Sequence, residues 1–375
     1  MKVDVIDLSS YESISMKKIR SLIPLVLKLL GEGYIIKFLG GKEEIDLLRF
    51  VFCMPFEEIG EEEEMELHKP VMVKEVLDGL EPEPGNILID ATAGTGGHAL
   101  VLAERVYPNG MVIAFEKDPL SFSILEKRLY GKNVILKRED FTDIERVVRE
   151  LSIEKIDGVL FDLGISSCLL ERSGRGFSYK TDEPLDMRFD PSEGLAAQEY
   201  LCHLREEELA WVLRYLGEER FARKIAKEIV KRREKEPILT TRELNAVIEK
   251  AVPLPHILKA KMRVYLAFRI LVNDELNKLV HGLLSAFTVL KAGGRVAVIS
   301  YHSLEDRIVK RVSQIPGIKS LTKKPLTPTK EEILKNRRAR SAKLRVLKKI
   351  GEIHEETFLN LLHPFVPSPG RCFRK

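Results

Sequence analysis

The sequence predicts an α/β protein: a doubly wound parallel sheet interrupted by an inserted helical domain and preceded by a small N-terminal α/β accessory module. Three observations carry this. From His68 onward, short apolar runs alternate with amphipathic stretches, as a parallel sheet covered by helices requires. The stretch Asp90-Ala91-Thr92-Ala93-Gly94-Thr95-Gly96-Gly97-His98 joins a strand-like run, Asn86 to Ile89, to a helix-like one, Ala99 to Val106. After the apolar run Gly158 to Phe161 the alternation stops, and it resumes only at Asp274.

Taken in order, residues 1–65 read as a strand at Val3 to Asp7, a helix from Met16 to Leu30, a strand at Tyr34 to Leu39, a helix from Glu43 to Phe52 and an acidic linker from Gly60 to Glu66. Residues 66–177 hold the first part of the sheet domain. Val71 to Leu80 reads as a helix, Ile87 to Ile89 as its first strand and Met111 to Phe115 as its second. A helix from Ser121 to Leu129, a strand at Val134 to Lys137, a helix from Ile144 to Leu151 and a strand at Gly158 to Phe161 follow. These runs are short, apolar and bounded by polar residues, the pattern of strands buried on both faces. Residues 178–272 form the inserted helical domain: Phe221, Ile225 and Ile229 recur at four-residue spacing, and Thr240 with Glu243 fits a capping box. Residues 273–349 complete the sheet with a helix from Asp274 to Leu290, a turn at Gly293-Gly294 and a strand from Arg295 to Ser300. Residues 350–375 are a C-terminal extension.

The 375 residues, 44% hydrophobic and 31% charged, describe a globular chain of more than one module. No apolar run approaches the ~20 residues of a membrane span, and the N-terminus lacks the pattern of a signal peptide, so a cytoplasmic location is expected. Cys53, Cys168, Cys202 and Cys372 lie far apart without zinc-ligand spacing, so reduced thiols and no metal are expected. The net charge of +4 is unevenly spread: Glu57 to Glu66 is acidic, whereas Arg307 to Lys349 is rich in Lys and Arg. The basic segment suits nucleic acid.

Closely spaced glycines at a helix start let backbone approach a ligand. Here Gly94, Gly96 and Gly97 are followed by His98, and Asp90 precedes the first glycine by four residues, which favours S-adenosylmethionine over a pyrophosphate-bearing cofactor. Glu116, ending the second strand, is placed to accept hydrogen bonds from ribose hydroxyls; Asp118 could instead cap the next helix. Phe141 stands where an aromatic face stacks on adenine, or packs in the core. Asp162, opening Asp162-Leu163-Gly164-Ile165-Ser166-Ser167, lies at the carboxyl edge of the sheet, where it could bind an exocyclic amine or cap the following turn. A carboxylate accepting a hydrogen bond from such an amine makes its nitrogen more nucleophilic, so Asp162 is the candidate catalytic residue. His302, in Tyr301-His302-Ser303-Leu304-Glu305-Asp306-Arg307, is a substrate-positioning candidate. Arg307, Arg338, Arg340, Lys343 and Arg345 offer cations for phosphate contacts.

His68-Lys69-Pro70-Val71, the glycine loop, the Asp162 to Ser167 run, Arg175-Gly176-Phe177-Ser178, Leu185-Asp186-Met187-Arg188, Gly217-Glu218-Glu219, Tyr301 to Arg307 and Arg340 to Arg345, in this order, resemble the RsmH (MraW) family from His68 to Lys349. The resemblance implies a class I S-adenosylmethionine-dependent methyltransferase, Rossmann-like, with an inserted substrate-recognition domain. It implies methylation of the N4 amine of a cytidine in the decoding region of small-subunit ribosomal RNA, and S-adenosyl-L-methionine as cofactor. By position, Gly96, Gly97, His98, Glu116, Phe141 and Asp162 would contact the cofactor. The implied partner is ribosomal RNA within an assembled or assembling small subunit, with no membrane and with room for a homodimer.

The chain departs from the family pattern in places. Glu116 stands for a usual Asp, Leu169 for a cofactor-contacting Gln, Tyr301 for Phe and Arg337 for Pro. Tyr265-Leu266-Ala267-Phe268-Arg269-Ile270 stands for Phe-Gln-Ala-Leu-Arg-Ile, keeping Arg269 but replacing the glutamine. At Leu169 only packing or a backbone contact with the cofactor is left. Two other functions are compatible with the residues: an amine methyltransferase acting on DNA or protein, and a ribosome-assembly factor that binds S-adenosylmethionine and RNA without catalysis.

Overall fold

A computed structural model describes residues 2–7, 34–39 and 70–362, and the chain divides into two units, Met1–Glu64 and Met65–Lys375. In the first unit, β1 (Lys2–Asp7) and β2 (Tyr34–Leu39) pair in parallel, Lys2 opposite Tyr34 through Asp7 opposite Leu39. These are the two strands expected from the sequence. The expected helices at 16–30 and 43–52, the linker, His68, Lys69 and residues 363–375 lie outside the described residues.

The second unit is built on seven strands: β3 (Ile87–Asp90), β4 (Met111–Phe115), β5 (Val134–Lys137), β6 (Ile156–Asp162), β7 (Leu290–Ser300), β8 (Ile318–Ser320) and β9 (Lys343–Lys349). They lie in the order β5-β4-β3-β6-β7-β9-β8. The first five are mutually parallel, and β9 runs antiparallel to both of its neighbours. This is a doubly wound, Rossmann-like sheet with an antiparallel strand β9 toward one edge. Strand order reverses between β3 and β6, and the crevice at the carboxyl ends of these two strands is where open α/β sheets bind ligands.

Alternation within each strand explains why the sheet is covered on both sides. Leu88, Val112, Ala114, Leu160, Ala297 and Ile299 point into one core, with the helices Val73–Leu80 and Gly97–Val106. Ile89, Ile113, Phe115, Val159, Phe161, Val296 and Val298 point into the other, with the helices Ile144–Glu150, Glu275–Val289 and Ser303–Val312. Successive side chains therefore serve opposite layers.

The inserted region consists of the helices Ala197–His203, Glu206–Tyr215, Ala222–Arg233, Thr241–Ala251 and Ile257–Asn273. Ile225 and Ile229 of the expected stripe are fully buried, and Phe221 packs against the same core. The capping box is present: the Thr240 hydroxyl accepts from the Glu243 amide, and the Glu243 carboxylate accepts from the Thr240 amide at 3.0 Å. The hydrophobic core of these helices is continuous with that of one sheet face, so by packing the insertion is an extension of that layer.

Part of the basic segment is built into the sheet. Residues Lys343–Lys349 form β9 inside the sheet, because Leu344, Val346 and Leu347 supply buried apolar positions between the cations. Strand β8, absent from the sequence reading, completes that edge through three residues paired with β9.

Candidate active site

The glycine loop follows β3 at the crevice. Its entry is fixed by backbone: the Ala91 amide donates to Leu160 O and the Ala93 amide to Phe115 O, both at 2.8 Å. The Asp162 amide donates to Thr92 Oγ1 at 2.7 Å, tying the end of β6 to the loop. Gly94 and Gly96 adopt φ of +55° and +89°, the left-handed region where a Cβ is strained. A methyl at Gly96 would also lie 2.9 Å from Leu125 Cδ1 and 3.3 Å from Leu129. Gly96→Ala is therefore expected to cost about 2–4 kcal/mol of stability or to distort the loop. Thermal melting and calorimetric titration with S-adenosylmethionine check this; wild-type values in both would contradict it.

Three carboxyl groups surround the loop. Asp90 is fully buried at the end of β3, and burial pushes its pKa up to about 7 against the pull of the Thr92 and Ala99 amides. Glu116, just past β4, accepts the Asp118 amide at 2.7 Å; burial pushes it up to about 8, with the Asp118 and Asp90 charges adding to the rise. Asp162, at the end of β6, is pushed up to about 7 by burial, moderated by a hydrogen bond from the Tyr301 hydroxyl at 2.8 Å. The Asp162 Oδ2 atom lies 3.9 Å from Nε2 of His98, itself in the first turn of the helix Gly97–Val106. The nearby Lys117 is drawn instead to Glu193 at 2.7 Å and to Asp140 at 3.6 Å. A cluster of buried acids beside a bare glycine backbone fits a ligand that brings positive charge and hydroxyl groups.

Other candidates take more structural places. Asp118 caps the helix Pro119–Arg128, accepting from the Ser121 amide at 2.7 Å, and forms an ion pair with Arg175. The Phe141 ring stands edge-on to Phe161 at 5.6 Å and lies where a Cβ on Gly282 would be, so it packs between sheet and helix. Leu169 is buried in the apolar core, and its amide donates to Ser166 Oγ at 3.0 Å. The backbone contact considered for Leu169 is thus already taken within the chain.

Among the phosphate-binding candidates the structure sorts surface from interior. Arg345, counted among the phosphate-binding cations, is buried: its Nε lies 2.7 Å from Asp306 Oδ1 and its Nη2 3.4 Å from Oδ2. It faces inward because β9 alternates across the sheet, so it is corrected from a surface contact to a structural ion pair. Lys343, on the same strand, is half exposed and 3.8 Å from Asp306. Arg340 is exposed. Arg338 bonds to Ser167 and Glu171 on the helix Ser167–Arg172, which sets the basic 336–340 segment against the turn that follows Asp162. Arg307 is half exposed and pairs with Glu218 at 3.1 Å.

His302 is turned away from open solvent. It caps the helix Ser303–Val312, its Nδ1 accepting the Glu305 amide at 3.5 Å. Its Nε2 lies 3.1 Å from Glu305 Oε1 without the alignment of a hydrogen bond. Burial alone would raise the Glu305 carboxyl, but His302, Arg269 and the Tyr301 amide together hold it below its ordinary value. The spacing His302-x-x-Glu305 is that of a capping box, a signal the sequence carried and the functional reading passed over. Two residues that the sequence showed only within motifs, without a role, take one here: the Glu218 carboxylate bonds Ser303 and Arg307, and Arg269 pairs with both oxygens of Glu275 at 2.8 Å.

Similarity to known proteins agrees with this arrangement. The sequence profile of the MraW methylase family matches residues 65–350. A ribosomal RNA small subunit methyltransferase H from Syntrophotalea carbinolica is 41% identical over 76% of this chain and 98% of its own length. A protein of the same name from Caldicellulosiruptor saccharolyticus is 43% identical over 76% of this chain and 99% of its own. The cofactor is S-adenosylmethionine, which when bound supplies a methyl group made electrophilic by a sulfonium. Gly94, Gly96, Gly97, His98, Glu116 and Asp162 are the residues that would surround it. Glycine loop, acid cluster and matched profile concur, and the chain belongs to the MraW methylase family.

Proposed function

We propose that the chain methylates the N4 amine of a cytidine in the decoding region of small-subunit ribosomal RNA. The name shared by its relatives supports ribosomal RNA as substrate. The observation that carries the chemistry is Asp162: a carboxylate at the crevice, beside the glycine loop, with Oδ1 held by Tyr301 and Oδ2 turned toward His98.

An exocyclic amine on a pyrimidine is a poor nucleophile because its lone pair is delocalised into the ring. Asp162 accepts an N–H of that amine, which favours the pyramidal nitrogen and disperses the positive charge that develops on it. Its pKa of about 7 is matched to neutral pH, so the same group can receive the amine proton and pass it to water. The other chain residues bind and orient. Glu116 is the acceptor for ribose hydroxyls, and the Gly96-Gly97-His98 turn brings backbone close. Arg307, Arg338, Arg340 and Lys343 contact RNA phosphates, with His302 shaping the substrate side through its hold on Glu305.

The test is transfer of labelled methyl from S-adenosylmethionine to small ribosomal subunits purified from cells lacking the modification. Label is expected in the RNA fraction, with an affinity that falls steeply with salt. Label in ribosomal proteins, or cofactor binding with no transfer at all, would overturn the proposal.

A further inference from the structure

We infer that Tyr301 is a positioning residue for the methyl transfer: its hydroxyl donates to Oδ1 of Asp162 and leaves Oδ2 as the oxygen offered to the substrate amine. The inference rests on the proposed role of Asp162 and adds to it the group that decides which oxygen acts and in which protonation state.

The geometry is built from both sides. The Tyr301 hydroxyl lies 2.8 Å from Asp162 Oδ1, across 139 residues of sequence. Its backbone amide donates to Glu305 Oε2 at 2.8 Å, so the residue is anchored by the same carboxylate that caps the helix Ser303–Val312. Its ring lies over Gly164, where φ is +109° and an added Cβ would meet the ring at 3.3 Å. Gly164 thereby leaves room for the ring against the turn that follows Asp162. On the other side, the Asp162 amide is tied to Thr92. The backbones of Asp162 and Tyr301 are thus each tied to a neighbouring side chain, one on either side of the hydrogen bond between them.

The charge environment explains what that bond is for. Asp162 faces Asp90 from β3, Glu305 from the helix Ser303–Val312 and His98 from the helix Gly97–Val106. Burial and the two like charges favour its protonated form, which has fewer lone pairs to offer an amine. The phenol is the neutral donor that opposes them. Burial and the adjacent carboxylates push its own ionisation far above the ordinary tyrosine range, so it stays a donor at every working pH.

The experiment is the pH dependence of kcat for methyl transfer to small ribosomal subunits, for the full chain, Tyr301→Phe and a variant with 3-fluorotyrosine at position 301. The acid limb includes ionisation of Asp162, since activity rises as the carboxylate forms, and of the three acids raised toward neutral pH Asp162 is the one that accepts the Tyr301 hydroxyl. Removing the hydroxyl raises the Asp162 pKa, so in Tyr301→Phe the limb moves up by about one pH unit. The rate at pH 6.5 then falls by about five- to tenfold, while KM for S-adenosylmethionine stays within about twofold. A more acidic phenol donates a stronger bond, so fluorotyrosine moves the limb down; this arm decides the matter should the phenylalanine variant fail to fold. An acid limb unmoved in both variants, with Asp162→Ala inactive, overturns the role of Tyr301 alone. Full activity in Asp162→Ala overturns the role of Asp162 itself and this inference with it.

Discussion

Asp162→Ala is expected to lower kcat for methyl transfer by about 10²- to 10⁴-fold, the range lost when a group that manages a reacting proton or stabilises developing charge is removed. On the proposed mechanism the loss belongs to kcat, because Asp162 would meet the reacting amine while Glu116 and the glycine backbone would still hold the cofactor. Single-turnover transfer, read beside calorimetric binding of S-adenosylmethionine, separates the two. Binding within about tenfold of wild type with transfer abolished is the expected pair. Wild-type transfer would remove Asp162 from the chemistry. The substitution also leaves the Tyr301 hydroxyl without its acceptor, so part of the effect is shared with that residue.

Arg175→Ala is expected to have the largest effect on stability, about 3–5 kcal/mol, since it strands a buried carboxylate. Asp118 is 2% exposed and Arg175 12%. Besides Asp118, the guanidinium bonds the carbonyls of Arg188 and Phe189 at 2.9 and 2.8 Å. One side chain thus joins the cap of the helix after Glu116 to the loop that enters the inserted helices. Denaturant unfolding of Arg175→Ala and Asp118→Asn, compared with the double variant, measures the pair. Near-additive small losses would show that the pair is not the clamp its burial indicates.

The parts of the fold that could be read from sequence are those specified locally. Each strand from β3 to β6 is a short apolar run bounded by charge or turn residues, and Thr240 with Glu243 announces a helix start within four residues. Asp118 was recognisable as a cap because it precedes Pro119 at a helix beginning. What was not legible depends on partners far along the chain. Strand β9 was read as part of a phosphate-binding segment because its lysines and arginines outnumber its apolar residues; only the sheet reveals that Leu344, Val346 and Leu347 face the two cores and that Arg345 is spent on Asp306. The site divides the same way. Gly96, Glu116 and Asp162 were found because motif and strand end coincide in sequence. Tyr301 appeared only as a departure from a family pattern, and its bond to Asp162 requires β6 and β7 to be neighbours. His302 was placed with substrate, and in the structure its Nδ1 caps the helix by accepting the Glu305 amide while its Nε2 lies 3.1 Å from the Glu305 carboxylate.

The order of β6 and β7 also explains why acid and phenol meet. Leu160 aligns with Ala297 and Asp162 with Ile299, so the residues just beyond the end of β7 overhang the end of β6. The crevice at the strand reversal is therefore lined by three chain segments: the glycine loop, the turn after Asp162 and the turn after Ser300.

The most direct test is the identity of the methylated nucleoside. After transfer from labelled S-adenosylmethionine to small ribosomal subunits lacking the modification, the RNA is digested to nucleosides and resolved by mass spectrometry. Label in N4-methylcytidine, absent with Asp162→Ala, is the predicted result; label in a carbon-methylated cytidine, in another nucleoside or in no RNA product would contradict it.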